Sequence, residues 1–360
     1  MRPSPGLLAT PISHVYELAV RLRFLAYGLG LLRRHRLSAP VISVGNLTVG
    51  GAGKTPLVAR VCEDLGELGF DPAVLSRGYR GRAERSNVLV SDGREILVSP
   101  EVAGDEPYLL AQLLPGVPVA VGRRRERSAR LVLERLPAAS RVFVLDDGFQ
   151  YLALDRDLDL VIFDAAGSLD RRLLPAGPLR EPWSALRRAD AACLTRCHLP
   201  NARPDEFTAA IHRITPGLPC FRFRTEYAGW IDESGKLYPP RHLHRVRATV
   251  VAGIGNPQQF LDDLARLGIR IVNEFLLPDH HRFSAAEVDR ILDHARRLGS
   301  EVVITTEKDR VRLLDYLPSD PPLWTLRIRF VPEQTREWVQ WLAERLPASG
   351  SAGRPETAGA

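Results

Sequence analysis

Residues 42–56 read ISVGNLTVGGAGKTP: a β-branched apolar run, a glycine cluster, then Gly53-Lys54-Thr55 and the start of an amphipathic helical pattern. A buried strand handed to a helix through a glycine turn restricts the chain to an α/β fold. The same layout predicts a phosphate-binding loop. Backbone N–H groups from Thr48, Val49, Gly50, Gly51, Ala52 and Gly53 turn inward, the helix N-terminus adds its positive end, Lys54 supplies a point charge and Thr55 a hydroxyl for Mg²⁺. The general spacing G-x-x-x-x-G-K-[ST] asks for glycine at position 48, where this chain has Thr48. A plain βα turn would need the glycines only for their backbone angles, and it leaves the Lys-Thr pair unexplained.

Strand-like and helix-like runs alternate through residues 41–195, which predicts a mostly parallel sheet with helices on both faces. With 360 residues there is room for two domains. The character changes near residue 221, where FRFRTEYAGWIDESGKLYP alternates apolar and polar residues around a turn at Glu233-Ser234-Gly235. From Thr249 a second series of strands and helices begins. The expected organisation is a phosphate-loop domain over 1–220 and a second α/β domain over 221–331 entered through a β-ribbon. A C-terminal helix over 332–347 and a disordered tail over 348–360 follow.

Four cysteines over this length do not make a disulfide framework, and no cleavable signal segment is expected at the N-terminus. Residues 13–36 have helical spacing, are rich in Leu, Phe and Tyr, and end in Arg33-Arg34-His35-Arg36. The uncharged part, 24–32, is far too short for a span, which needs about 20 apolar residues. Such a helix suits a membrane surface or a place on the core of the first domain. The net charge of +6 fits an anionic surface, a phosphorylated substrate or nucleic acid.

Phosphoryl transfer needs a phosphate cradle, a metal held by carboxylates, a base for the acceptor hydroxyl and cations over the moving group. Asp146-Asp147 end the apolar run 141–145, where a metal-binding acid belongs. Asp105-Glu106 open a helical pattern after Gly104, and their chemistry suits a helix cap as well as a base. Arg180-Glu181 follow the Pro- and Gly-rich loop 174–179, and Asp279-His280-His281 crowd a loop of the second domain. Thr305-Thr306-Glu307-Lys308-Asp309 end one of its strands, at the side where α/β sites lie.

GNLTVGGAGKTP, SRGYRG, GDEP, LDDGFQ, LLPAGPLREP, PDHHRF and TTEKDRVRL stand in the order found in tetraacyldisaccharide 4′-kinases, the lipid A 4′-kinases of Gram-negative bacteria, and the chain resembles that family over roughly residues 10 to 340. The resemblance implies two α/β/α domains, the first like P-loop NTPases and the second smaller, joined by a two-stranded β-linker with the active site between them. It implies transfer of the γ-phosphoryl group of ATP to the 4′-hydroxyl of a tetraacyldisaccharide 1-phosphate, with Mg²⁺. By that analogy Asp105 is the general base, paired with His280; Lys54, Asp146 and Asp147 serve catalysis; Thr55, Asp146 and Asp147 hold the metal. Arg77, Tyr79, Arg180 and Glu181 meet the substrate. A four-chain lipid substrate turns the reading of 13–36 toward the membrane, on the cytoplasmic side of the inner membrane as a peripheral, monomeric protein. Thr48 is part of the family's pattern.

A regulatory P-loop NTPase is the competing reading. It would need an N-K-x-D base-reading motif or a second lysine before the glycines, and position 49 is Val49. A nucleic-acid binder would rest on the basic run 123–130, which has no interleaved aromatics, so no nucleic-acid partner is expected.

Overall fold

The computed structural model describes residues 9–316 and 320–346, so the tail expected at 348–360 lies outside the described residues. The elements in chain order are α1 (Ala9–Gly28), β1 (Val41–Asn46), α2 (Lys54–Glu67), β2 (Asp71–Ser76), β3 (Val88–Ser91), α3 (Pro100–Ala103), α4 (Asp105–Leu113) and β4 (Val119–Val121). Then come α5 (Arg125–Arg135), β5 (Arg141–Asp146), β6 (Leu158–Asp164), β7 (Ala191–Thr195), α6 (Pro204–His212), β8 (Cys220–Ile231) and β9 (Leu237–Tyr238). The remainder is β10 (Arg247–Ala252), α7 (Pro257–Arg266), β11 (Arg270–Leu276), α8 (Ala285–Arg297), β12 (Val302–Thr306), α9 (Glu307–Leu313), β13 (Leu323–Pro332) and α10 (Thr335–Arg345).

The first half forms a parallel array in the order β7-β6-β1-β5-β2-β4, edged by antiparallel β3. Its strands are continuous apolar runs because helices cover both faces; every residue of β1 and β5 is buried. α2 supplies one cover, setting Leu57, Val58, Val61, Cys62 and Leu65 into the core at helical spacing. In the second half β11-β10-β12-β13 run parallel. β8 joins the halves. Its first residues pair in parallel with β7, and from Phe223 to Ile231 it pairs antiparallel with β13.

The chain therefore leaves the first half on β8 and returns on β13. α10 then packs back onto α2, where Trp338 and Leu342 are fully buried in the core of the first half. The Trp338 indole N–H donates to Asp64 Oδ2 over 2.6 Å, and Arg60 pairs with the same carboxylate.

One local expectation is corrected. The N-terminal helix ends at Gly28, not residue 36, because Gly28 and Gly30 (φ +72°) interrupt it and leave Leu29, Leu31 and Leu32 exposed beyond its end. α1 also carries both surfaces that the sequence set against each other. Ser13, Tyr16 and Phe24 pack on the body, while Ile12, Val15, Leu18, Leu22 and Leu25 form an exposed apolar stripe. After β3 the chain turns at Asp92-Gly93, and the returning segment meets β3 at the Ser91–Ile96 bridge.

Candidate active site

β1 and β5 are adjacent and in register, with Val44 beside Asp146, so the glycine loop and the acidic pair leave the same end of the sheet side by side. Gly53 sits at the N-cap of α2 with φ +84°, a left-handed conformation that glycine adopts without strain. It also has no space for a side chain: a Cβ there would lie 2.6 Å from the Phe330 ring of β13. The loop is pinned on its outer side by Val49 N–H donating to Pro178 O over 2.8 Å and by a Thr48–Leu179 bridge. Lys54 Nζ reaches Asn46 Oδ1 and Asp147 Oδ1, each over 3.4 Å.

The two acids differ sharply. Ser76 Oγ donates to Asp146 Oδ2 over 2.9 Å, while Oδ1 is buried without a hydrogen-bond partner. Burial, then the negative charges of Glu106 and Asp147, push the Asp146 carboxyl up to about 7. Asp147 also pays for burial, yet the Lys54 ammonium and the Arg180 guanidinium outweigh it and hold its pKa below the ordinary value. Arg180 Nη1 donates to Asp147 Oδ2 over 2.9 Å. A buried, unpartnered carboxylate oxygen, with a second carboxylate and Thr55 lining the same cavity, offers the oxygen donors that hard divalent cations take.

Asp105 begins α4 after Gly104, whose φ of +89° and close approach to Tyr79 O (2.9 Å from a Cβ built there) lock the GDEP turn against the SRGY loop. Across the cleft, His280 stands in the turn after β11 with φ +63°. Its Nδ1 lies 3.2 Å from Asp105 Oδ2, although 175 residues separate them. Arg312 Nε of α9 donates to the same oxygen over 2.7 Å. Burial opposes ionisation of Asp105, but His280 and Arg312 prevail and hold its pKa at about 2. Tyr79 is half exposed and meets the His280 ring edge-on at 6.0 Å.

The loop, Asp146, Asp147, Arg77, Tyr79, Arg180, Glu106 and His280 line one cavity of about 1450 Å³, between the two halves. Glu181, expected beside the substrate, is instead buried and paired with Arg188 over 2.8 Å, so it braces the Arg180 loop from behind. Arg312 and the ammonium of Lys308, which pairs with Glu106 over 3.1 Å, were not assigned roles by sequence. The available signal was their i, i+4 spacing on a helix that starts at a strand's carboxyl end.

With this geometry the chain was compared with known proteins. A family model described as tetraacyldisaccharide-1-P 4′-kinase matches residues 6–347. A tetraacyldisaccharide 4′-kinase of Desulfotalea psychrophila is 40% identical over 327 residues, covering 89% of this chain and 91% of that protein. The Geobacter sulfurreducens protein of the same name is 41% identical over 91% of this chain and 89% of its own length. The crystal structure of LpxK from Aquifex aeolicus in complex with ATP superposes with a TM-score of 0.76 at 33% identity, covering 94% of this chain and 98% of that one.

Proposed function

This chain belongs to the tetraacyldisaccharide 1-phosphate 4′-kinase family, and on that premise we propose that the cleft transfers the γ-phosphoryl group of ATP to the 4′-hydroxyl of a lipid disaccharide 1-phosphate, with Asp105 as general base. The observation that carries this reading is the meeting of Asp105 and His280 across the cleft that also holds the glycine loop. The loop amides, the N-terminus of α2 and Lys54 cradle the β- and γ-phosphates. Asp146, Asp147 and Thr55 are the groups to hold Mg²⁺, which when bound neutralises charge on the β- and γ-oxygens.

Asp105 takes the hydroxyl proton as the sugar oxygen attacks in line. His280 orients the carboxylate, and Arg77, Tyr79 and Arg180 face the acceptor. Because base and partner come from different halves, the site is complete only when the halves meet, which excludes water and limits idle ATP hydrolysis. The two halves act as domains, over 1–220 and 221–331, hinged on β8 and β13.

The apolar stripe of α1 supports peripheral binding to the cytoplasmic face of the inner membrane, where a four-chain lipid resides. No helix among the described residues is long and apolar enough to cross a membrane. The deciding assay gives purified protein, Mg²⁺-ATP and lipid disaccharide 1-phosphate in detergent and looks for the 4′-phosphate. Asp105→Asn is expected to lower turnover by two orders of magnitude or more while ATP affinity stays within a few-fold. Near-normal turnover in that variant removes Asp105 as base.

A further inference from the structure

α9 lies just after β12 and presents Lys308 and Arg312 one turn apart toward α4. Arg312 is only 5% exposed, and each part of its guanidinium is occupied. Nη1 donates to Gly253 O over 3.0 Å and to Asp309 Oδ1 over 2.8 Å, which fixes the fork on its own half; Nε is then delivered to Asp105 Oδ2 on the other. Asp309 is itself held, fully buried, by Gly253 N–H and the Thr306 hydroxyl. The fork is thus rigid before Asp105 meets it.

Lys308 Nζ has three N–H groups and three neighbours: Glu106 Oε1 at 3.1 Å, Asp279 Oδ1 at 3.5 Å and His280 Nε2 at 3.3 Å. An ammonium only donates, so Nε2 has to accept. The ring proton of neutral His280 then sits on Nδ1, facing the carboxylate of Asp105 at 3.2 Å. The opposite tautomer would turn an Nε2–H against the ammonium and a lone pair against the carboxylate. Arg312 Nη2, 3.3 Å from Nδ1, can donate only to a bare Nδ1, and Asp279 Oδ1, 3.9 Å from Nε2, is too far to hold a proton there; the Asp105 carboxylate and the Lys308 ammonium, two close contacts against one, keep the proton on Nδ1.

We propose that Arg312 and Lys308 are positioning residues for the transfer: Arg312 anchors Asp105 Oδ2, Lys308 sets the tautomer of His280, and together they leave Asp105 Oδ1 as the atom that meets the acceptor hydroxyl. The inference rests on the reading of Asp105 as base and adds which oxygen acts and what directs it. With Oδ2 taken by two donors, and both ring nitrogens of His280 engaged, the hydroxyl proton goes to Oδ1. As that O–H bond breaks, the sugar oxygen bonds to the γ-phosphorus, the bond from phosphorus to the β–γ bridging oxygen opens and ADP leaves. Asp105 afterwards returns the proton to solvent.

The charged and titratable groups facing Asp105 are Glu106 on α4, Asp279 and His280 in the loop after β11, Lys308, Asp309 and Arg312 on α9, and Tyr79 of the SRGY loop. Arg312 is the cation in direct contact. Removing it lets burial raise the Asp105 carboxyl, so the ionised base is lost at a higher pH.

The test uses the full chain with Mg²⁺-ATP and lipid disaccharide 1-phosphate. Arg312→Gln is expected to give a kcat ratio to the unmutated enzyme at least tenfold lower at pH 5 than at pH 8, with KM for ATP within twofold, and Arg312→Lys to recover part of the loss. ¹⁵N spectra of histidine-labelled enzyme, assigned with His280→Gln, are expected to show Nδ1 protonated and Nε2 bare at neutral pH, and Lys308→Met to mix the two forms. A kcat deficit of Arg312→Gln that is uniform across pH overturns the role of Arg312. An Nε2–H signature in the unmutated protein overturns the role of Lys308 even if the variants do not fold. Undiminished turnover in Asp105→Asn is the separate result that removes the base itself.

Discussion

Gly53→Ala probes a contact that reaches from the nucleotide loop to the strand connecting the two halves. Two costs add at this position. Alanine at φ +84° pays roughly 1–2 kcal/mol for the left-handed conformation. Its Cβ would also stand 2.6 and 2.8 Å from the Cζ and Cε2 atoms of Phe330, well inside van der Waals contact. Phe330 is 2% exposed, so the ring cannot swing into solvent, and overpacking of this kind costs about 1–3 kcal/mol. The expected total is roughly 2–5 kcal/mol. The two parts separate in a double-mutant cycle with Phe330→Ala. That change alone costs about 3–5 kcal/mol, but it empties the space and leaves only the conformational part of the alanine penalty. Urea unfolding of the four proteins should therefore give a coupling of about 1–3 kcal/mol. Calorimetric titration with Mg²⁺-ATP should show weaker binding in Gly53→Ala, partly restored in the double variant. If the alanine penalty is the same in both backgrounds to within about 0.5 kcal/mol, the ring is not the wall described here and the reasoning fails.

Trp338→Phe should cost about 1.5–3 kcal/mol in urea unfolding, since it removes a hydrogen bond to the buried, charged Asp64 carboxylate and leaves Oδ2 with Arg60 Nε alone. The Asp146 carboxyl is raised to about 7 in the folded chain against an ordinary value near 4, so the ligand-free fold binds the extra proton. Its contribution is present at acid pH and lost as pH rises from about 4 through about 7. Asp146→Asn should accordingly raise the ligand-free Tm at pH 8 more than at pH 5, while turnover with Mg²⁺-ATP collapses. Leu18, Leu22 and Leu25 changed together to Glu should leave Tm nearly unchanged, because all three are exposed, and should reduce cosedimentation with anionic vesicles at least tenfold; unchanged cosedimentation would sink the membrane role of that stripe.

Local chemistry made part of this legible from the amino-acid order. The strand, glycine turn and Gly53-Lys54-Thr55 declare themselves because phosphate binding uses consecutive backbone groups, and Asp146-Asp147 because an apolar strand ends on them. The pairing of Asp105 with His280 has no local signal, being made by the approach of two halves, and only the resemblance linked them. Arg312 on an amphipathic helix reads as a solvated arginine until Asp309 and Gly253 are seen to fix it. Glu181 erred the other way, since an acid in a loop suggests solvent or ligand, whereas Arg188 makes its burial tolerable. The docking of α10 on α2 was equally silent: periodicity shows that a helix has an apolar face and says nothing of which core receives it.

That docking constrains the order of events during synthesis. The second half is an inserted passenger, whose entry and exit strands meet where Phe223 pairs with Pro332, while α10 belongs to the half made first. A ribosome that has delivered β1 and α2, which ends at Glu67, has about 270 residues to go before Trp338 can close over them. At roughly 5–20 residues per second the first core waits on the order of tens of seconds for its final piece. Premature termination anywhere in the passenger therefore leaves Asp64 without the Trp338 indole and the side of the first core that receives Trp338 and Leu342 open to water, although α2 is already seated on its own sheet.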